Sequence, residues 1–240
     1  KVYTVERNDL RRAAHYVSND IVNSLLGEQM AAHSRLLAVQ KSQKGKNIIV
    51  MDYDGQRPWL LTSDSHINFL PEWGPGNTSV LYSSFKLKYP TIFQADLNTG
   101  RKTQLLGKNY HVYGPKVSPN GEEILFARQR AQGADLYLMN LISKKVKQIT
   151  YGSAAETSPE WSPNGFHIAF TSDRGGNPKL YKMSREGIGS KRLTFEAKSK
   201  YLESAAWSPN GDKIAFVGMD AGRLNIYVMN VDGLQVTKLT

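Results

Sequence analysis

Short runs in which apolar and polar residues alternate recur along most of the chain. One run, "PKLYKMSREGIGSKRLT" from Pro178, predicts two antiparallel strands joined by a hairpin, because apolar, β-prone residues precede Glu186-Gly187 and a second short strand follows. Four other segments align with it without a gap: "KNIIVMDYDGQRPWLLT" from Lys46, "PTIFQADLNTGRKTQLL" from Pro90, "ADLYLMNLISKKVKQIT" from Ala134 and "LNIYVMNVDGLQVTKLT" from Leu224. The five segments end at residues 62, 106, 150, 194 and 240, so the spacing is 44, 44, 44 and 46 residues. Repeats of this length are typical of arrays of identical supersecondary units.

A second pattern supplies the other half of the repeat. It occurs four times: "LPEWGPGNTSVLYSSF" from Leu70, "GPKVSPNGEEILFARQ" from Gly114, "SPEWSPNGFHIAF" from Ser158 and "SAAWSPNGDKIAF" from Ser204. Ser-Pro-Asn-Gly suits a type I turn between two strands, because proline fixes φ at the second position and glycine relieves the fourth. The recurring tryptophans, with a valine in the remaining copy, are predicted to fill gaps between neighbouring units. These residues are Trp73, Trp161, Trp207 and Val117.

The two halves together give four strands per repeat. We therefore predict an all-β fold, a β-propeller of four-stranded antiparallel blades with five repeats present and one α-helix before them. The blades are expected at about 35–62, 63–106, 107–150, 151–194 and 195–240. The first blade is expected to have only three strands, near 35–39, 46–52 and 57–61. The sequence leaves open whether the ring is open or is closed by a further blade and strand outside these 240 residues.

A different pattern precedes the first blade. In "NDLRRAAHYVSNDIVNSLLGE" the apolar residues fall at helical spacing, which predicts one amphipathic helix that ends at Gly27, after a short strand at residues 2–5. The apolar face consists of Leu10, Ala13, Ala14, Val17, Ile21 and Leu25. One helix and one strand are too little for a domain, so we expect them to belong to a partner domain.

Composition limits the chemistry. The net charge of +10 favours acidic partners, and the absence of cysteine excludes disulfides, thiolate metal sites and a cysteine nucleophile. The sequence has no G-x-S-x-G elbow, no Walker loop and no ligand spacing among its five histidines, so we predict no catalytic residue, no metal and no cofactor. The basic stretches "SKKVKQ" and "FKLKY" are interpreted as solvated hairpin and strand-edge charges, and nucleic-acid binding is not expected.

These repeats resemble those of the TolB propeller family. "SPEWSPNGFHIAFTSDRGGNPKLYKMSREGIGSKRLT" is similar to the family's repeat, and "DLRRAAHYVSNDIVNSLLGE" followed by "SRLLAV" is similar to the junction between its N-terminal α/β domain and its first blade. The resemblance implies that residues 1–33 are the C-terminal end of that domain, that residues 34–240 are the propeller, and that the parent protein has six blades. It also implies a non-enzymatic, periplasmic component of the Tol-Pal envelope system, peripheral to the membrane at most. The expected partners are the lipoprotein Pal and, through an N-terminal segment not expected in these 240 residues, TolA.

The resemblance also implies a partner-binding surface. In the family this surface is formed by the loops that lead into the first strand of each blade. Matching the motif places His111, four residues before Pro115, and Thr157, two residues before Pro159, on that surface. We add His66, from a loop corresponding to that of His111, and the positions equivalent to Thr157 at which the repeats differ. The predicted partner-binding residues are His66, Phe69, His111, Tyr113, Thr157 and Glu203.

A second interpretation of the same repeat remains open. Propellers with similar repeats gate substrate access in prolyl-oligopeptidase-like peptidases, so the chain could be such a propeller without its hydrolase domain. A hydrolase domain in the parent gene would favour this alternative, and a signal peptide with one further blade would favour the envelope protein.

Overall fold

The computed structural model describes residues 10–26, 34–107, 110–194 and 201–240. The chain forms two compact units, Lys1–His66 and Ile67–Thr240, and each is described by itself.

The first unit contains one helix and one sheet. The helix α1 spans Leu10–Leu26, and the sheet has three antiparallel strands in the order β1 (Arg35–Lys41), β2 (Lys46–Asp52) and β3 (Trp59–Leu60). The three strands predicted for the first blade are therefore present, and we call this sheet blade 1. The strand predicted at residues 2–5 and the helix terminator Gly27 lie outside the described residues.

Helix α1 buries only part of its predicted apolar face. Ala13 is 9% exposed, whereas Ile21 and Leu25 are 53% and 76% exposed. The N-terminal half of the helix contacts the residue that follows β2: the His15 ring packs edge-on against Tyr53, with centroids 5.4 Å apart. The C-terminal part of the predicted apolar face is therefore exposed in the described part of this unit. The assignment of this helix to a partner domain stays a prediction.

The second unit consists of four sheets, each with four antiparallel strands. Blade 2 has β4 (Asn68–Trp73), β5 (Ser79–Ser84), β6 (Thr91–Asp96) and β7 (Lys102–Leu106). Blade 3 has β8 (Val112–Val117), β9 (Glu123–Gln129), β10 (Ala134–Asn140) and β11 (Val146–Gln148). Blade 4 has β12 (Glu156–Trp161), β13 (His167–Ser172), β14 (Lys179–Ser184) and β15 (Lys191–Arg192). Blade 5 has β16 (Leu202–Trp207), β17 (Lys213–Asp220), β18 (Arg223–Asn230) and β19 (Thr237–Lys238).

The repeated turn has the predicted geometry. In blade 3 the Gly121 amide donates to the Ser118 carbonyl over 2.8 Å, and Gly121 has a φ of 74°. The Ser118 hydroxyl donates to Asn120 Oδ1 over 2.7 Å and accepts the Glu123 amide over 2.9 Å. Glycine adopts a left-handed φ without the steric strain that a side chain would cause, which explains why it recurs in the turn. The predicted fold class, a β-propeller of four-stranded antiparallel blades after one helix, is confirmed.

The core lies within and between the blades. A stacked aromatic pair joins the second and third strand of every blade in the second unit: Tyr82 with Phe93, Phe126 with Tyr137, Phe170 with Tyr181 and Phe216 with Tyr227. All of these rings are buried except that of Tyr227, which is half-buried. Trp161 of blade 4 is 4% exposed and belongs to one cluster with Leu125 and Leu136 of blade 3. Its indole Nε1 donates to the Lys116 carbonyl over 3.2 Å. Trp161 therefore fills the gap between two blades, as predicted.

Candidate functional site

The first strands of blades 2 to 5 carry one variable residue each at the same ladder position. Phe69, Tyr113, Thr157 and Glu203 pair with the second strand immediately before a register shift. At each shift the following residue has a left-handed φ: Leu70 at 49°, Gly114 at 66°, Ser158 at 46° and Ser204 at 57°. A bulge with a positive φ re-aims the side chains beside it. The fold thus presents four predicted residues at one repeated, locally distorted position.

These bulges border a shared cavity of about 180 Å³ in the second unit. Each first strand contributes its bulge residue to the lining, and Tyr113 also lines the cavity. The Tyr113 ring is half-buried against the core between blades 3 and 4, and burial raises the pKa of its phenol. The repeated bulge position therefore borders a concave surface, and Tyr113 lines it directly.

An ion cluster lies three residues further along the same strands. The Lys116 Nζ atom is 2.6 Å from Glu160 Oε2 and 3.3 Å from Glu72 Oε2, which joins blades 2, 3 and 4. The three side chains are 32%, 22% and 24% exposed, respectively. The equivalent residue of blade 5 is Ala206, so this ring of positions holds two carboxylates and one ammonium group.

The charges of this cluster influence one another. Burial raises the pKa of the Glu72 and Glu160 carboxyls, although the Lys116 ammonium opposes the shift. For Lys116 itself burial acts to lower the pKa, but the two carboxylates outweigh it and the pKa is raised. The cluster therefore keeps its cation at neutral pH and carries one uncompensated negative charge when both carboxyls are ionised.

The other predicted residues occupy distinct surroundings. His111 is exposed just before β8, and its ring stacks on Tyr89 with centroids 4.4 Å apart. Glu203 accepts a hydrogen bond of 2.7 Å from the Tyr201 hydroxyl, and this bond raises the pKa of Tyr201 to about 12. Thr157 is half-buried in β12.

The remaining predicted partner-binding residues are Phe69 and His66. The Phe69 ring stacks on Phe85 with centroids 5.6 Å apart in blade 2. His66 belongs to the first unit, where its Nδ1 lies 3.5 Å from Asp64 Oδ1. The other five predicted residues all belong to the second unit.

Two ion pairs with buried carboxylates support the loops on the same side of blades 3 and 4. Arg130 Nε lies 2.6 Å from Asp135 Oδ2, and Arg174 Nη2 lies 2.9 Å from Glu156 Oε1. Each carboxylate side chain is only 2% exposed. Burial raises the pKa of both carboxyls, and the neighbouring arginine opposes the shift.

Sequence reasoning missed these charged groups. The signal was present in the repeat alignment, because Glu72, Lys116 and Glu160 occupy equivalent positions, 44 residues apart. No local pattern shows that those positions face one another across blades.

Metal-ligand clusters and membrane-spanning helices are both absent from the described residues. Within residues 10–26, 34–107, 110–194 and 201–240, no group of three or more His, Asp or Glu side chains is placed to hold a metal ion. In the same part of the chain, no helix is long and apolar enough to cross a membrane.

Comparison with known proteins gives one family. The family described as "TolB beta propeller domain" matches residues 22–240. The chain is 32% identical over 103 residues to the Tol-Pal system protein TolB of Polaromonas sp. strain JS666. The aligned segment covers 43% of this chain and 24% of the relative. The crystal structure of TolB from Acinetobacter baumannii superposes with a TM-score of 0.90 at 29% identity, over 100% of this chain and 61% of that one. The chain thus spans about three-fifths of that solved structure.

More distant structures share the fold. A prolyl endopeptidase superposes with a TM-score of 0.60 at 15% identity, over 86% of this chain and 34% of that protein. Similarity at this level of identity shows a common propeller architecture and nothing about activity.

Proposed function

Because the chain belongs to the TolB β-propeller family, we propose that it is a non-enzymatic, protein-binding propeller of a Tol-Pal cell-envelope system and acts in the periplasm. The names of the relatives from Polaromonas and Acinetobacter support this assignment. The alternative, the gating propeller of a peptidase, rests on fold similarity alone and is less well supported.

The proposed partner is a Pal-like lipoprotein, bound through the loops and first strands around the cavity. One observation carries the proposal: equivalent positions at which the blades differ hold Phe69, Tyr113, Thr157 and Glu203, each beside a bulge that borders the same concave surface. Exposed His111 precedes one of these strands. His66 is proposed as a further contact from the first unit, and TolA as a further partner of the parent protein.

The proposed site can be tested by removing two side chains that contribute little to the core. We expect the double variant His111→Ala, Thr157→Ala to weaken binding of the Pal-like periplasmic domain from the same organism by about tenfold or more, measured by titration calorimetry. The matched control is His167→Ala with Thr103→Ala, which removes the same side chains from exposed positions of β13 and β7. Equal affinities for the two double variants and the unmodified chain would contradict the proposed site.

A further inference from the structure

A surface beside the proposed site combines free positive charge with aromatic rings. It consists of Lys86, Lys88 and Tyr89 from the loop between β5 and β6 of blade 2, with Tyr110 and Arg128 of blade 3; we call it the aromatic–basic patch. The two blades join here through a hydrogen bond of 3.0 Å from the Val112 amide to the Pro90 carbonyl. The patch therefore lies at one blade junction of the second unit.

Repeat equivalence shows that Lys86 lacks the carboxylate partners of its counterparts. Lys86, Arg130 and Arg174 occupy the same position of consecutive blades, two residues after the residue that pairs with the start of the first strand. Arg130 is paired with Asp135 and Arg174 with Glu156. In blade 2 the positions equivalent to those carboxylates hold the neutral residues Thr91 and Asn68.

The other two cations of the patch are also available. In the described part of the chain, no carboxylate oxygen lies within 4.0 Å of the charged nitrogens of Lys86, Lys88 or Arg128. Arg128 has no counterpart, because the equivalent positions hold Ser84, Ser172 and Gly218. Three cations that have no carboxylate partner among the described residues therefore lie at one blade junction, where they attract an anionic group.

Aromatic rings contact two of these cations, and the same rings and a leucine remain exposed to a partner. The guanidinium of Arg128 lies 3.5 Å from the centroid of the Tyr110 ring, and Lys88 Nζ lies 5.5 Å from that of Tyr89. An arginine packed flat on a ring keeps its edge N–H groups free to donate to a carboxylate. Tyr110 is 49% exposed, Tyr89 is 38% exposed, and the neighbouring Leu87 is 44% exposed.

We propose that the aromatic–basic patch binds an acidic protein segment that also carries apolar side chains. Carboxylates of the segment pair with Lys86, Lys88 and Arg128, and its apolar side chains cover Leu87 and the exposed ring edges. A polynucleotide fits less well, because Arg128 and His111 already occupy one face of Tyr110 and Tyr89, and Leu87 offers no stacking surface. The inference rests on the proposed function as a protein-binding propeller and adds the chemistry of its partner.

The direct test uses a fluorescent ten-residue peptide of alternating Asp and Leu, with an Asn-for-Asp peptide as its neutral match. We expect the acidic peptide to bind the whole chain at about 50 mM salt, and Lys86→Gln with Lys88→Gln to weaken binding by about five- to tenfold, measured by anisotropy. The control Lys144→Gln with Lys145→Gln removes equal charge from the β10–β11 hairpin, and we expect less than about a twofold change. Equal effects of the two pairs, no binding of the acidic peptide, or tighter binding of a single-stranded oligonucleotide of equal charge would overturn the proposal.

A second arm separates this inference from the proposed function. With the Pal-like domain as ligand, Thr157→Ala reports on the cavity site and the two lysine substitutions report on the patch. Loss with Thr157→Ala but not with the lysine pair would overturn the patch and leave the proposed function intact. Peptide binding at the patch without any Pal binding would keep the patch and refute the proposed function.

Discussion

The ion cluster of the first strands permits a quantitative prediction. In the variant Lys116→Met the carboxylates of Glu72 and Glu160 lose a cation that lies 3.3 Å and 2.6 Å from them. Removing one partner of a fully buried ion pair costs about 3–5 kcal/mol. The three side chains retain 22–32% of their exposure, so solvent screens part of this effect. We therefore expect the free energy of unfolding to fall by about 2–3 kcal/mol at pH 7.

The pH dependence distinguishes electrostatics from lost packing. Burial already raises the pKa of both carboxyls above the ordinary 4.5, and loss of the ammonium raises it further. Within this range the folded state of the variant binds more protons than the unfolded state, so stability increases as pH falls and is lost as pH rises. We expect the deficit of the variant to shrink by about half between pH 7 and pH 5.

The assay is urea unfolding followed by circular dichroism at a series of pH values. The control variant Glu72→Gln, Lys116→Met, Glu160→Gln removes every charge of the cluster and is expected to lie within about 1 kcal/mol of the unmodified chain at pH 7. A loss below about 1 kcal/mol for Lys116→Met, or a pH profile parallel to that of the unmodified chain, would refute the reasoning.

Other residues give predictions of known sign. Trp161→Ala is expected to lower the free energy of unfolding in urea by about 3–5 kcal/mol, because it leaves a cavity between two blades. Trp207→Ala is expected to lower it less, because Trp207 is only half-buried. Equal losses for the two variants would contradict the packing argument. The Tyr201 phenol is expected to ionise near pH 12 by absorbance at 295 nm, and Glu203→Gln should lower that pKa because the hydrogen bond to the carboxylate is its main cause. Unchanged titration in the variant would show that another group holds the proton.

The scaffold could be predicted because the same sequence pattern recurs in every blade. The turn from Ser118 to Gly121 and its copies fix where strands end, and the fixed spacing shows that the units form one array. The position of Trp161 between blades followed from the same repetition. The exposure of Ile21 and Leu25 on α1 was not predictable from the helical pattern, because periodicity identifies an apolar face but not what covers it.

The candidate site could be predicted only in part. The variable positions of the repeat identified Tyr113 and Thr157, and the structure places both next to bulges around a cavity. The cluster of Lys116 with two glutamates depends on which side chains face one another across blades. That juxtaposition is a long-range property, and no window of the sequence contains it.

Because the blades repeat, a residue can be compared with the residues at equivalent positions of the other blades. A residue that recurs, such as the turn glycine, is explained by blade construction. A cation that recurs with its carboxylate, as Arg174 does with Glu156, is explained by loop support. Lys86 keeps the cation of that pair but has lost both carboxylate positions, so blade construction does not account for its charge. The same reasoning singles out Phe69, Tyr113, Thr157 and Glu203, since blade construction does not require any one side chain at their shared backbone position. Function on a repetitive scaffold is therefore best sought where equivalent residues differ, and the binding experiments with the cavity and patch variants test that principle in this chain.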